Sequence, residues 1–143
     1  MREICFDTET TGFDPDTGDR LVEIGAVELI NHLPTGKIYH EYINPERDVP
    51  EEVVKVHGLD NEFLKDKPIF RDVAQSWVDF IGDDGILVAH NAALHTVFFG
   101  TQNRCNCNSG ICKFFKRPRA LFNSDETRSI QNYSGYRWNC ISC

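Results

Sequence analysis

Arg2-Glu3-Ile4-Cys5-Phe6-Asp7-Thr8-Glu9-Thr10-Thr11-Gly12 is the stretch on which the fold turns. Ile4, Cys5 and Phe6 form a short apolar run of the kind a buried strand carries, and Thr10-Thr11-Gly12 is turn material that ends it. Asp7 and Glu9 stand two residues apart at the strand's end, so strand alternation puts both carboxylates on one face. Two carboxylates held that close repel each other unless a cation lies between them. Mg²⁺ or Mn²⁺ is the expected occupant, because hard divalent ions take oxygen ligands and keep part of their water. A pair of such ions roughly 3.5–4 Å apart activates a water and stabilises the leaving oxygen of a phosphodiester. Taken alone, Asp-x-Glu is more often a solvated strand end, so the surrounding sequence has to decide.

Outward from that strand, Asp14-Pro15-Asp16-Thr17-Gly18 reads as a turn, and Leu21 to Ile30 as a second strand with Val22, Ile24, Ala26 and Glu28 on one face. His32 to Gly36 reads as a connecting loop and Lys37 to Ile43 as a third strand, which makes an antiparallel hairpin. Pro50-Glu51-Glu52 opens a short helix with acids in its first turn, and Gly58 stops it. Asp60 or Asn61 caps a further short helical piece through Leu64. Phe70, Val73, Ala74, Trp77, Val78 and Ile81 recur at helical spacing within Ile69–Ile81, the clearest amphipathic helix of the chain. Ile86 to Ala89 is a buried strand, and Asn91 is placed to cap a helix that starts at Ala92.

Composition changes along the chain. The 143 residues are 41% hydrophobic and 26% charged with a net charge of -7, ordinary for a globular protein. That acidity argues against a protein that coats nucleic acid by bulk charge, though not against one that reaches it through bound cations. Residues 1–100 carry 20 acids against 8 bases, whereas residues 101–143 carry 2 acids against 7 bases. Five of the six cysteines also lie in that last part. No apolar run approaches the roughly 20 residues that span a bilayer, and Met1 to Asp7 has no signal-peptide core, so a cytoplasmic, membrane-free protein is expected.

Asp7-Thr8-Glu9-Thr10-Thr11-Gly12, followed by Asp19-Arg20-Leu21-Val22-Glu23-Ile24-Gly25-Ala26, resembles the first motif of the DnaQ-like 3′→5′ exonucleases. Val56-His57-Gly58-Leu59, Phe63-Leu64, Asp66-Lys67-Pro68 and Ala89-His90-Asn91-Ala92-Ala93 continue the resemblance in order to about residue 94. The likeness is nearest to the proofreading, polymerase-associated branch of that family. It implies an α/β, RNase H-like mixed sheet flanked by helices, here incomplete on its C-terminal side. It also implies a site in which four acids hold two Mg²⁺ or Mn²⁺ ions and a histidine serves as general base. Asp7 and Glu9 match the first two acids, which hold metal and substrate. Glu52 and His57 match positions that contact the bound nucleotide. The implied reaction is proofreading, the hydrolytic removal of 3′-terminal nucleotides from a single-stranded or frayed DNA end. The implied partner is the replicative polymerase subunit.

The pattern breaks at His90-Asn91-Ala92-Ala93-Leu94-His95, where a histidine stands in the place of the third acid. Imidazole is a poorer partner for Mg²⁺ and brings no negative charge. His95 is also the last histidine of the chain, so the motif that supplies the general base and fourth acid cannot be written anywhere in it. Residues 1–99 are therefore expected to form the front of an exonuclease domain, and residues 100–143 an irregular, unrelated or frameshifted tail. The chain is expected to be inactive or nearly so. Phe70, Trp77 and Phe80 are expected to lack covering partners, with poor solubility as the result. Two other readings of the tail stay open: zinc held by Cys105, Cys107, Cys112, Cys140 and Cys143, and nucleic-acid contact by Lys113, Phe114, Phe115, Lys116, Arg117 and Arg119.

Overall fold

The computed structural model describes residues 1–90, 94, 95 and 97–99, together with the backbone of residues 131–132. Strand β1 (Arg2–Thr10) runs through the middle of the sheet, pairing antiparallel with β2 (Leu21–Ile30) on one side and parallel with β4 (Gly85–Ala89) on the other. β3 (Leu33–Tyr42) pairs antiparallel with β2, and a two-residue strand β5 (Gln131–Asn132) pairs antiparallel with β4, so the order is β3-β2-β1-β4-β5. The mixed sheet with flanking helices is the RNase H-like arrangement that the motifs imply.

β2 has the bounds expected from its alternation, and Val22, Ile24, Ala26 and Glu28 are all buried. The expected loop at His32–Gly36 is shorter. Asn31 and His32 both take positive φ (50° and 67°) and close the hairpin alone, leaving Leu33–Gly36 in the strand. β3 is an outer strand, where Pro34 is tolerated because one edge needs no ladder partner.

Helix α1 (Glu51–His57) ends on Gly58 at φ 79°, and α2 (Asn61–Leu64) begins where the Asp60 carboxylate accepts the Phe63 N–H at 2.8 Å. The long helix α3 (Phe70–Ile81) buries Phe70, Val73, Ala74, Trp77 and Ile81. They pack against Ile4, Phe6, Ile24, Ala26, Leu87 and Ala89, which strand alternation brings to one face of the sheet. Residues 94–95 and 97–99 are helical and add Phe98 and Phe99 to that core. Among the described residues no helix is long and apolar enough to cross a membrane.

The expectation that Phe70, Trp77 and Phe80 lack cover is overturned. Trp77 is fully buried between Phe6 (ring centroids 5.8 Å), Tyr39 (5.2 Å) and Phe99 (5.6 Å); Phe70 is 5% exposed, and Phe80 packs on Tyr39. Phe99 lies beyond the last recognisable motif, so its cover was not legible there. Burying an aromatic ring of this size is worth roughly 4–6 kcal/mol at the usual area coefficient. Among the described residues the opposite face of the sheet is the bare one: Cys5, Val27, Ile38 and Val88 line an open groove of about 750 Å³.

Arg2 ties the two layers together at one end. Its guanidinium pairs with Glu28 Oε1 at 2.6 Å and donates to the Phe80 (2.7 Å) and Ile81 carbonyls at the C-terminus of α3. Those carbonyls have no intrahelical partner, and a cation is favoured there.

Candidate active site

Asp7 and Glu9 emerge from β1 on the bare face of the sheet. The register sets Asp7 opposite Gly25 and Glu9 opposite Glu23, and it shifts between Glu9 and Thr10, the last residue of β1, which pairs with Leu21. A cleft of about 250 Å³ is lined by Asp7, Thr8, Glu9, Glu23 and Gly25. A side chain at Gly25 would meet nothing within 4 Å, so the floor beside Asp7 is open. The Asp7 side chain is 77% exposed, whereas Glu9 is half-buried. Burial pushes the Glu9 carboxyl above its usual range, His57 pulls it back, and the charges of Asp7 and Glu23 raise it further. The like charges that line the cleft therefore act on one another.

The loop behind the pair is stapled by Asp19. Its carboxylate accepts from Thr11 Oγ1 (3.1 Å) and the Asp14 N–H (3.1 Å) and pairs with Arg47 (3.1 Å). A Cβ on Gly12 would come within 2.2 Å of that carboxylate, so the close approach explains the glycine.

His57 closes α1 with Nδ1 accepting the Leu59 N–H at 3.0 Å, which leaves the proton on Nε2. Nε2 is buried and has no partner among the described residues. Its electrostatic influence on Glu9 places the two in one neighbourhood. Glu52 sits exposed in the first turn of α1 and is not among the residues lining the cleft.

His95 is 9% exposed and engaged at both ring nitrogens. Nδ1 shares a 2.7 Å hydrogen bond with Thr8 Oγ1, and Nε2 lies 3.3 Å from Asp7 Oδ1. Phe6 packs edge-on against the ring. Glu23, the carboxylate facing Glu9, is likewise taken, with Oε1 2.5 Å from His40 Nε2. The sequence reading singled out neither Thr8 nor Glu23. The ten-residue connection from Thr11 to Arg20 hid the register that sets Glu23 opposite Glu9, and nothing local marks Thr8.

Comparison with known proteins fits this geometry. A profile of the exonuclease family (RNase_T) matches residues 4–116. The chain belongs to the exonuclease family. The match runs past residue 94, where the recognisable motifs end. The chain is 53% identical over 102 residues to the DNA polymerase III subunit epsilon of Rickettsia prowazekii, covering 71% of this chain and 44% of that one. It therefore spans less than half the length of that relative. Among solved structures, a full-length 3′-exonuclease superposes with a TM-score of 0.61 at 17% identity, over 71% of this chain and 38% of the other. The metal-free E. coli ExoI–ssDNA complex gives 0.59 at 16% identity, over 68% and 22%. At those identities the likeness is one of fold.

Exonucleases of this family generally depend on divalent metal ions. Among the described residues the donor set is short of the two-ion centre. Asp7 and Glu9 are two charges against the four that two such ions bring, and Glu23 is held by His40. Among the described residues no three His, Cys, Asp or Glu side chains are grouped to hold a metal ion. The tail cysteines and the basic residues 113–119 lie outside the described residues.

Proposed function

We propose that this chain carries the front of a proofreading 3′→5′ exonuclease site, built to receive the 3′ end of a DNA strand, and that in its present form it does not turn DNA over. The observation that carries this reading is the placing of Asp7 and Glu9 side by side on an open cleft with His95 in the third acid's position. In the intact family site Asp7 and Glu9 would be the metal-holding acids, the ions Mg²⁺ or Mn²⁺, and Glu52 and His57 the nucleotide contacts. Among the described residues the Nε2–H of His57 has no acceptor, and a buried donor left unpaired costs about 1–3 kcal/mol until something accepts it, which supports that role. A DNA phosphate is such an acceptor.

Turnover needs more than a binding cleft. A general base contributes about 10²–10⁴-fold, and residues 96–143 contain no histidine to serve as one. Without cations, the carboxylates of the cleft repel a phosphodiester rather than attract it. The replicative polymerase subunit, in the cytoplasm, is the partner this reading implies, as it does for the epsilon subunits that the chain resembles.

The test is a nuclease assay on a single-stranded DNA 3′ end with Mn²⁺. The expected result is no release of nucleotides above a protein-free control. Release that disappears in Asp7→Ala would overturn the inactivity. A chain that neither cleaves nor retains the DNA end at any Mn²⁺ concentration, with His57→Ala making no difference to retention, would overturn the nucleotide-binding part.

A further inference from the structure

The shortfall of donors at the cleft has a specific agent. We propose that His95 closes the metal site: held by Thr8, it occupies the flank of the Asp7 carboxylate where the family's third acid would stand, so the chain takes at most one divalent ion, and weakly. The proposal rests on reading the Asp7–Glu9 cleft as the family's metal site.

Three observations support it. The ring cannot turn away without loss, since Nδ1 is bonded to a buried hydroxyl (Thr8, 8% exposed) and its face is packed by Phe6. Nε2 stands 3.3 Å from Asp7 Oδ1, a distance at which it contacts that oxygen directly and leaves no room for an ion and its water between them. The exchange of a carboxylate for an imidazole also removes one negative charge from a site that must balance four positive ones, and hard ions prefer the oxygen. Thr8 is here a positioning residue, acting on the site only through the ring it holds.

The experiment is Mn²⁺ titration of the full chain, followed by the loss of the free-ion signal in electron paramagnetic resonance. His95→Asp is expected to bind Mn²⁺ at least about tenfold more tightly than the wild type, the range by which supporting groups alter metal affinity. Thr8→Val, which releases the ring, is expected to fall between the two. Wild-type binding as tight as that of His95→Asp, or two ions bound per wild-type chain and lost in Asp7→Ala, would overturn the closure while leaving the cleft as the metal site. A gain in His95→Asp that survives Asp7→Ala would overturn both the closure and the reading of the cleft. Should a buried aspartate prevent folding, His95→Asn removes the ring without adding charge. It too should bind more tightly than the wild type, and equal affinity would sink the proposal.

Discussion

The imidazole of His95 faces the carboxylate of Asp7 with Nε2 3.3 Å from Oδ1. That contact depends on Thr8, whose hydroxyl fixes the other end of the ring at 2.7 Å. Thr8→Val keeps the shape and removes the hydrogen bond, which leaves a buried ring nitrogen without its partner. The expected loss is about 1–3 kcal/mol. At roughly 2–8 °C per kcal/mol for a domain of this size, thermal melting should read it directly.

Trp77 separates packing from hydrogen bonding. It is fully buried, yet its indole N–H has no partner among the described residues. Trp77→Ala should cost about 3–5 kcal/mol through the cavity it leaves. Trp77→Phe keeps one ring and leaves a smaller cavity, so it should cost less than Trp77→Ala. Urea midpoints of the two variants, with unchanged denaturant slopes, would check the ordering.

Acid stability should track Glu28. Arg2 holds its carboxyl at about 2, below the usual 4.5, with Thr35 and Lys37 adding to the effect. A depressed value means that the folded state keeps the charge while the unfolded chain takes up a proton. The contribution is therefore fully present above about pH 4.5 and is lost as pH falls towards 2. Glu28→Gln should be less stable at neutral pH and should show a shallower fall in stability between pH 4.5 and 2. Unfolding curves at a series of pH values would show whether the two proteins converge at the acid end.

Gly12→Ala tests the staple behind the acids. The added methyl would meet the Asp19 carboxylate at 2.2 Å, and that carboxylate is not free to swing because Thr11, the Asp14 N–H and Arg47 all hold it. The expected cost is about 1–3 kcal/mol. Hydrogen exchange should quicken at Thr11 and Asp14, and not in α3.

Much of this architecture was legible in the residues because the local patterns were strong. β2 and α3 announce themselves through periods of two and of about three and a half, and Gly58 and Asp60 carry the stop and start of α1 and α2. Leu33–Gly36 misled because proline and glycine punctuate loops, yet both are tolerated on an outer strand. The covering of Trp77 was illegible since it rests on Phe6 and Phe99, which lie far from it along the chain. At the site, the shared face of Asp7 and Glu9 followed from their spacing alone. The grip of Thr8 on His95 did not, because it joins residues 87 positions apart.

The central place of β1 sets a timetable for folding during synthesis. Residues 2–5 find their antiparallel partners within the next stretch of chain, but their parallel partners are residues 85–88. At about 5–20 residues per second, one edge of the first strand waits on the order of ten seconds for its neighbour to leave the ribosome. During that interval the hairpin offers an unpaired edge to any other nascent chain, so how fast translation passes through α3 will affect how much protein reaches its native pairing.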